Sequence, residues 1–357
     1  MNKIDSINYP IYFNNIANGL DEFISAGKYS RFFILTDEHT GKFCLPYIQE
    51  RLKSNPDFDL IEISAGEESK SIDFCVGIWQ NLIDFGADRN SLLINLGGGV
   101  VTDLGGFAAS TYKRGIDFIH IPTTLLSQVD ASVGGKTGID IFNLKNIIGT
   151  FTQPKAVFIE HEFLSTLPAR QIKSGLAEML KHGLIADAAY WNLLKTSDLE
   201  NLSTELIRDS IIIKNNVVIA DPTERGLRKI LNFGHTIGHA IESYSLDNDE
   251  DPLTHGEAVV AGMICETYLS HVKAGLPLNE MQEIITFLLG LYGKYEISED
   301  CYPFLNNAMK KDKKNQNGKI NCTLLSHIGE SVIDNVCTDE ELVDSLRYYA
   351  SLEYARA

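Results

Sequence analysis

The sequence predicts a two-domain protein in which an α/β domain precedes a mainly helical one. The chain has 357 residues, more than one ordinary hydrophobic core needs. Its N-terminal part alternates short apolar runs with helical patterns, which is typical of a mostly parallel sheet. After Pro168 strand-like runs nearly vanish and long helical periods replace them. We therefore expect domains at residues 1–160 and 161–357, with a cleft between them as the default active site.

Short apolar runs define the strands of the first domain. Their positions are 31–36, 59–64, 92–96, 117–121 and 155–160. Residues 72–85 repeat apolar side chains at helical spacing, and Ser71 is a plausible N-cap.

Helical periods dominate the second domain. They cover residues 169–185, 204–220, 229–243 and 257–274. One strand is predicted at 319–328, after the Asn317-Gly318 turn.

Composition and charge exclude several classes of protein. There is no run of the roughly 18–20 apolar residues that a membrane helix needs, and the N-terminus lacks the pattern of a secretory signal. The six cysteines are scattered without CxxC spacing, so we expect reduced thiols in the cytoplasm. The net charge of −17 makes nucleic acid an improbable partner, and an anionic substrate would need a local pocket of Lys and Arg.

A triple glycine at 97–99 stands between a predicted strand and a possible helix over 100–109. Such a cluster lets backbone amides approach a pyrophosphate at the N-terminus of a helix. A GxGxxG motif is excluded by Thr102, and a Walker A motif is excluded because Asp130 stands where its first glycine would be. A tight structural turn remains an equal alternative.

A cluster of histidines predicts a metal site. His235 and His239 are four residues apart and share one face of a predicted helix, and His255 stands at the predicted start of the next. A catalytic zinc site needs three protein ligands and an open position. Thr236 follows the first histidine where a zinc protease of the HExxH class has Glu.

A carboxylate ligand is still required. Glu178 lies in a predominantly apolar predicted helix, where a buried carboxylate would need a partner such as a metal. Lys181 follows three residues later, so an ordinary surface ion pair is an equally good interpretation.

Several segments, taken in order, carry a family resemblance. They are residues 66–71, 97–115, 121–138, 145–146, 163–168, 175–183, 228–239, 253–257 and 309–314. Together they resemble the 3-dehydroquinate synthase family over essentially the whole chain. The departures are few: Glu160-His161-Glu162 replaces an Asp that is common in the family, and position 174, which the family varies, is Ser.

The resemblance implies an N-terminal Rossmann-like α/β domain that binds NAD, an all-α C-terminal metal-binding domain and a homodimer. Glu178, His235 and His255 would bind zinc or cobalt, whereas His239 would lie near the substrate phosphate. The positions implied for NAD are Asp37, Glu67, Lys70, Gly99, Val100, Asp103, Thr123, Thr124, Lys136, Lys145, Phe163 and Thr166.

The resemblance also implies the substrate-binding residues. Those matching the contacts to the hydroxyls and carboxylate are Asp130, Lys136, Lys181, Lys214, Arg228 and Asn232, and those near the phosphate are Arg114, Asn146, His239 and Lys313 or Lys314. The catalytic set would be Lys136, Lys181, Arg228, Asn232 and His239.

The implied reaction converts 3-deoxy-D-arabino-heptulosonate 7-phosphate to 3-dehydroquinate and phosphate in the shikimate pathway. Its steps are oxidation by NAD, phosphate elimination, reduction, ring opening and aldol closure. The alternatives are a sister sugar-phosphate cyclase, a glycerol-dehydrogenase-like metal enzyme that releases NADH, and a non-catalytic metabolite-binding protein. The last would be marked by loss of a metal ligand or of Lys136, and none is missing.

Overall fold

The computed structural model describes residues 2–14, 16–54, 56–141, 144–311 and 319–353. The chain divides into two units, Met1–Ile172 and Lys173–Ala357. The predicted domain boundary after residue 160 stays a prediction.

A seven-stranded, mostly parallel sheet forms the centre of the first unit. Its strands are β1 (Asn2–Asp5), β2 (Pro10–Phe13), β3 (Phe32–Asp37), β4 (Phe58–Ile63), β5 (Leu92–Gly97), β6 (Asp117–Pro122) and, later in the chain, β9 (Val157–Ile159). Their order across the sheet is β1-β2-β9-β6-β5-β3-β4, and of the strand pairs described within this sheet only β1–β2 is antiparallel. The predicted parallel sheet is confirmed, although β1 and β2 were not predicted.

A separate antiparallel hairpin and several helices complete this unit. The hairpin strands are β7 (Lys136–Ile141) and β8 (Leu144–Phe151). The helices are α1 (Ile16–Ala26), α2 (Glu38–Phe43), α3 (Leu45–Gln49), α4 (Ile72–Asp84) and α5 (Gly99–Thr111). Shorter helical turns cover Glu67–Ser69, Tyr112–Arg114, Ser127–Ala131 and His161–Thr166. Ser71 is the N-cap residue of α4, as predicted.

Both faces of the sheet are covered, which explains its continuous apolar runs. Phe33 and Leu93 point to one face and pack with α4 and α5. Ile34 and Ile94, the next residue of each strand, pack on the opposite face with α1 and α3. Because side chains alternate along a strand, a sheet buried on both sides needs apolar residues at every position.

The second unit is mainly helical. Its helices are α6 (Ala169–Ala186), which begins in the first unit, α7 (Ala188–Thr196), α8 (Thr204–Ala220), α9 (His235–Asn248), α10 (His255–Leu269), α11 (Leu278–Tyr292), α12 (Tyr302–Lys310) and α13 (Asp339–Ser351). Shorter turns cover Leu227–Asn232, Ser270–Ala274 and Glu299–Cys301. The domain predicted as all-α contains one antiparallel hairpin, β10 (Ile320–His327) with β11 (Glu330–Cys337). The predicted turn before β10 lies outside the described residues.

The predicted helix over 229–243 is wrong at its start. The segment Leu227–Asn232 forms a 3-10 helix, and α9 begins only at His235. Gly234 separates them because its φ of 80° is left-handed and cannot continue a helix. The next helix begins at His255, two residues earlier than predicted, behind a capping box in which Thr254 and Glu257 bond each other's backbone.

The described residues also bear on the predictions about membrane helices and cysteines. No helix in the described part of the chain is both long enough and apolar enough to cross a bilayer. The six cysteines are buried free thiols.

Candidate functional site

Three helices of the second unit bring together the side chains predicted to bind a metal. Glu178 lies on α6, whereas His235 and His255 are the first residues of α9 and α10. The Oε1 atom of Glu178 lies 3.5 Å from Nε2 of His235 and 3.8 Å from Nε2 of His255. Each residue offers a ligand atom within 4.8 Å of the other two. Two imidazoles and one carboxylate form a donor set that suits zinc and similar divalent ions and leaves a coordination position open.

The two imidazoles are held so that the same ring nitrogen faces Glu178. Nδ1 of His235 donates to the carbonyl oxygen of Phe233 at 3.1 Å. Nδ1 of His255 lies 3.4 Å from Oε2 of Glu242, a carboxylate that can only accept. The contact with the carbonyl oxygen of Phe233 places a proton on Nδ1 of His235 and leaves Nε2 as the nitrogen that would coordinate a metal.

The carboxylates around His255 change its pKa. Burial lowers the pKa, but Glu242 and Glu178 outweigh burial and raise it to about 9. In the metal-free protein the imidazolium therefore neutralises part of the negative charge of the site. A divalent ion would take over that role and release the proton.

The two histidine-bearing helices cross with their backbones in contact. A Cβ atom at Gly262 of α10 would lie 2.0 Å from the carbonyl oxygen of Gly234 and 2.5 Å from the amide nitrogen of Gly238. This close approach places the rings of His235 and His255 5.4 Å apart between their centroids. The glycines next to the histidines therefore have a packing role.

A buried carboxylate caps α9 from the neighbouring helix. Glu266 is fully buried and accepts hydrogen bonds from the backbone of Gly234 at 2.7 Å and of Ile237 at 3.3 Å. A negative charge at a helix N-terminus is stabilised by the unpaired amides and by the helix dipole. Glu266 thereby fixes the turn that presents His235.

The start of α10 is anchored to α6 in a similar way. Oγ of Ser174 accepts a hydrogen bond from the amide of Gly256 at 3.0 Å. A Cβ at Gly256 would lie 2.2 Å from the carbonyl oxygen of Ser174, so the two backbones touch. This contact holds His255 beside Glu178. No sequence pattern indicated this role of Ser174.

Three cations of the predicted substrate set are buried in this unit. Lys181, Lys214 and Arg228 are exposed by 1%, 4% and 1%. Lys181 donates to Oε2 of Glu178, the oxygen that does not face the histidines. The alternative of a surface ion pair between Glu178 and Lys181 is therefore wrong. Nη1 of Arg228 also donates to the carbonyl oxygen of Pro222 at 2.8 Å. Buried positive charges of this kind suit the binding of an anionic ligand.

The remaining predicted substrate residues of the second unit lie nearby in the chain. The ring centroid of His239 is 5.1 Å from that of His235 and 5.8 Å from that of His255. Nδ2 of Asn232 donates to Oε1 of Glu224 at 3.0 Å, a partner that the sequence did not indicate. Lys313 and Lys314 lie outside the described residues.

Several of the residues predicted to bind NAD lie at the carboxyl ends of the parallel strands of the first unit. Asp37 ends β3 and caps α2, and Gly99 begins α5 directly after β5. The amide of Thr123, just beyond β6, donates to the carbonyl oxygen of Gly97 at 3.0 Å. Dinucleotides bind at this edge of open parallel sheets, where a helix N-terminus can receive a pyrophosphate.

Ion pairs join other members of the predicted NAD set. Nζ of Lys70 lies 2.6 Å from Oδ2 of Asp103, and Nζ of Lys145 lies 3.5 Å from Oε1 of Glu67. Burial lowers the pKa of Lys70, but Asp103 and Glu67 outweigh burial and raise it. The ammonium is therefore charged at neutral pH.

The other predicted residues of this unit are spread over its loops and edges. Val100 lies in α5, Thr124 follows β6, Asp130 is in the turn Ser127–Ala131, Lys136 begins β7, and Thr166 ends the turn His161–Thr166. Arg114 and Asn146 have positive φ values of 70° and 53°. Phe163 is buried against Tyr47 at 5.3 Å between ring centroids. The ligand roles of these residues stay predictions.

The departure at Glu160 has a structural explanation. Oε2 of Glu160 accepts a hydrogen bond from the amide of Ile16, the first residue of α1, at 3.2 Å. Its carbonyl oxygen also accepts from Nε2 of Gln128 at 3.0 Å. Glu160 therefore holds elements of the first unit together.

Family models and a known protein match most of the chain, and all of them are 3-dehydroquinate synthases. A family model for the N-terminal domain of 3-dehydroquinate synthase matches residues 60–174, and one for its C-terminal domain matches residues 175–315. A 3-dehydroquinate synthase of Parabacteroides distasonis is 41% identical over 339 residues, which cover 94% of this chain and 96% of that protein.

Solved structures share the fold. The 2-epi-5-epi-valiolone synthase of Streptomyces hygroscopicus, with NAD+ and Zn2+ bound, has a TM-score of 0.84 and 26% identity, and the match covers 98% of this chain and 99% of that one. A 2-deoxy-scyllo-inosose synthase complexed with carbaglucose-6-phosphate, NAD+ and Co2+ has the same TM-score and 23% identity, over 97% of this chain and 99% of that one.

Proposed function

The chain belongs to the 3-dehydroquinate synthase family, and we propose that it converts 3-deoxy-D-arabino-heptulosonate 7-phosphate to 3-dehydroquinate and phosphate. It is thus a lyase of the shikimate pathway, which leads to the aromatic amino acids, and it uses NAD and a divalent metal. The structural observation that carries the proposal is the trio of Glu178, His235 and His255, with Lys181 bonded to the same carboxylate. The sister cyclases with solved structures are less similar in sequence, at 23% and 26% identity.

The proposed cofactors supply the redox chemistry and the Lewis acid. When bound, NAD would serve as a hydride acceptor that is restored within the turnover, and the metal would serve as a Lewis acid for the substrate alcohol. Glu178, His235 and His255 would hold zinc or cobalt. Lys70 and Asp103, whose ion pair is preformed, would hold NAD together with the other residues predicted for it.

The residues of the second unit would bind and orient the substrate. Arg228 can bind a carboxylate through two parallel hydrogen bonds, and Lys214 adds a second buried positive charge. Lys181 would hold a substrate hydroxyl close to the metal, since its ammonium already contacts a proposed ligand. In a protein with a net charge of −17, these buried cations select an anionic substrate by a local field.

The phosphate would be held by His239, Arg114, Asn146 and either Lys313 or Lys314. No pair of general acid and base stands out among the predicted catalytic residues. We therefore assign much of the proton transfer to an oxygen of the substrate phosphate itself. Lys136, Lys181, Arg228, Asn232 and His239 would then act by binding and by stabilising charge.

We also propose that the protein is a cytoplasmic homodimer that binds neither nucleic acid nor membranes. The family resemblance supports the dimer, and the six buried free thiols suit a reducing compartment. Light scattering on the purified protein tests the oligomeric state, and a monomer at micromolar concentration would contradict it.

A comparison of substrates tests the proposed activity. Purified protein is supplied with NAD and zinc and assayed for phosphate release from 3-deoxy-D-arabino-heptulosonate 7-phosphate and from a heptulose phosphate without a carboxylate. We expect release from the first and little from the second, because a substrate without a carboxylate cannot form the proposed contacts with Arg228 and Lys214. Preferential turnover of the second substrate would contradict the assignment and favour a sister cyclase.

A further inference from the structure

One buried carboxylate next to the metal trio is not among the residues predicted to bind metal, NAD or substrate. Glu242 lies on α9, seven residues after His235 and three after His239, so all three share one helix face. It is exposed by only 3%. Its Oε2 atom lies 3.4 Å from Nδ1 of His255, on the side of that ring opposite to Glu178.

We propose that Glu242 is a positioning residue that fixes the ring orientation and tautomer of His255 for metal binding. This inference rests on the proposed metal-dependent function. Histidine ligands usually donate their other ring N–H to a carboxylate or a carbonyl, which orients the ring and increases the basicity of the coordinating nitrogen. The contact between α9 and α10 thus adds a carboxylate behind the third metal ligand.

The two histidines are held in different ways. Nδ1 of His235 bonds to the backbone carbonyl of Phe233, an acceptor that no substitution removes. The side chain of His255 is 25% exposed, against 11% for His235, so packing restrains it less. His255 therefore depends more on its side-chain acceptor, and Glu242 supplies one. Removing Glu242 should affect one ligand and leave the other two in place.

Metal binding to the variants Glu242→Leu and Glu242→Gln tests this role without relying on activity. Metal-free protein is titrated with Co2+ against a chromophoric chelator, and the visible absorption of the bound ion is recorded. We expect the dissociation constant to rise about 10- to 100-fold for leucine, and by a smaller factor of about 3 to 10 for glutamine, whose amide oxygen still accepts. The absorption spectrum should shift in the same order.

A control separates this effect from loss of a hydrogen-bonded glutamate in general. Glu283→Gln alters a carboxylate of α11 that accepts from Nε1 of Trp191 on α7 at 2.9 Å, and it should leave Co2+ affinity unchanged. If Glu242→Leu does not fold, the glutamine variant decides. Unchanged affinity and spectrum in the folded variants would overturn the inference.

Stoichiometry tests a competing role for Glu242. His239, Glu242 and His255 also offer ligand atoms within 4.8 Å of one another. Two Co2+ ions per wild-type chain, of which Glu242→Gln loses only one, would make Glu242 a ligand of a second ion and overturn the positioning role. A wild-type chain that binds no Co2+ would instead contradict the proposed function itself.

Discussion

The crossing of α9 and α10 makes Gly262→Ala a sharp test of how the metal site is built. The added Cβ would lie 2.0 Å from the carbonyl oxygen of Gly234, whereas ordinary van der Waals contact begins at 3.4 Å. The helices must therefore separate locally by about 1.4 Å, which is the difference between these two distances. The clashing atoms are backbone, so no side-chain rotation relieves them. Metal–ligand distances tolerate only about 0.2 Å, so His235 and His255 can no longer serve the same ion without strain.

The expected magnitudes follow from that geometry. Overpacking of this kind lowers the free energy of unfolding by about 1–3 kcal/mol. Metal binding would have to bring the separated helices back together. If this costs at least about 1.4 kcal/mol of binding free energy, metal affinity falls about tenfold or more. Urea denaturation of the metal-free protein measures the first quantity, and Co2+ competition with a chelator measures the second.

Gly290→Ala is the matched control. Gly290 lies near the end of α11 with no atom within 4 Å of the Cβ position, so the same substitution should be neutral or stabilising by up to about 1 kcal/mol. Gly262→Ala with wild-type stability and wild-type metal affinity would refute the claim that backbone contact at this crossing sets the distance between the histidines.

Three further predictions concern other buried groups. Asp103→Asn leaves the buried ammonium of Lys70 without its carboxylate, so urea denaturation should show a loss of about 3 kcal/mol and titration should show weaker NAD binding; unchanged values would contradict the pairing. Burial lowers the pKa of His120 from 6.5 to about 3, so the unfolded chain takes up the proton first. The free energy of unfolding therefore carries no penalty from His120 above pH 6.5, and it falls by about 1.4 kcal/mol per pH unit between pH 6.5 and pH 3. His120→Gln should reduce this dependence on pH, as measured by urea denaturation at several pH values. Glu266→Gln should cost about 1–2 kcal/mol in the metal-free protein and weaken Co2+ binding, because the first turn of α9 loses its anionic cap; equal Co2+ affinity would count against a link to His235.

Local patterns predicted most of the elements that carry the site. The helix over 204–220 has the predicted bounds, and the apolar runs on both sides of the triple glycine form β5 and α5. The shared helix of His235 and His239 and the place of His255 near the start of the next helix were predicted from spacing, although the starts of both helices were predicted wrongly. These features depend on residues close together in the sequence, which is why periodicity detects them.

Features that depend on distant partners could not be predicted. Glu242 and Glu266 have ordinary helical positions in the sequence, and only the crossing of α9 and α10 reveals what they bind. Glu242 stands seven residues after His235, and Glu266 stands eleven residues after His255. This helical spacing is the single local signal of their roles. Gly234 interrupts the helical period with a left-handed φ of 80°, and a Cβ there would lie 2.4 Å from Cγ of Met263 and 2.9 Å from the carbonyl oxygen of Val259 on α10. Tertiary contacts thus overrode local propensity at the position that matters most for the metal ligands.

The central claim is that this chain carries out a cyclisation in which NAD is used and restored within each turnover. The most direct test measures how many phosphates are released per NAD when the enzyme is in excess over NAD. The absorbance of NADH is followed during the reaction, and a parallel sample contains a chelator. We expect many phosphates per NAD, no accumulated NADH and no release once the metal is removed. NADH that accumulates in step with substrate consumed, or release that stops at one phosphate per NAD, would contradict it.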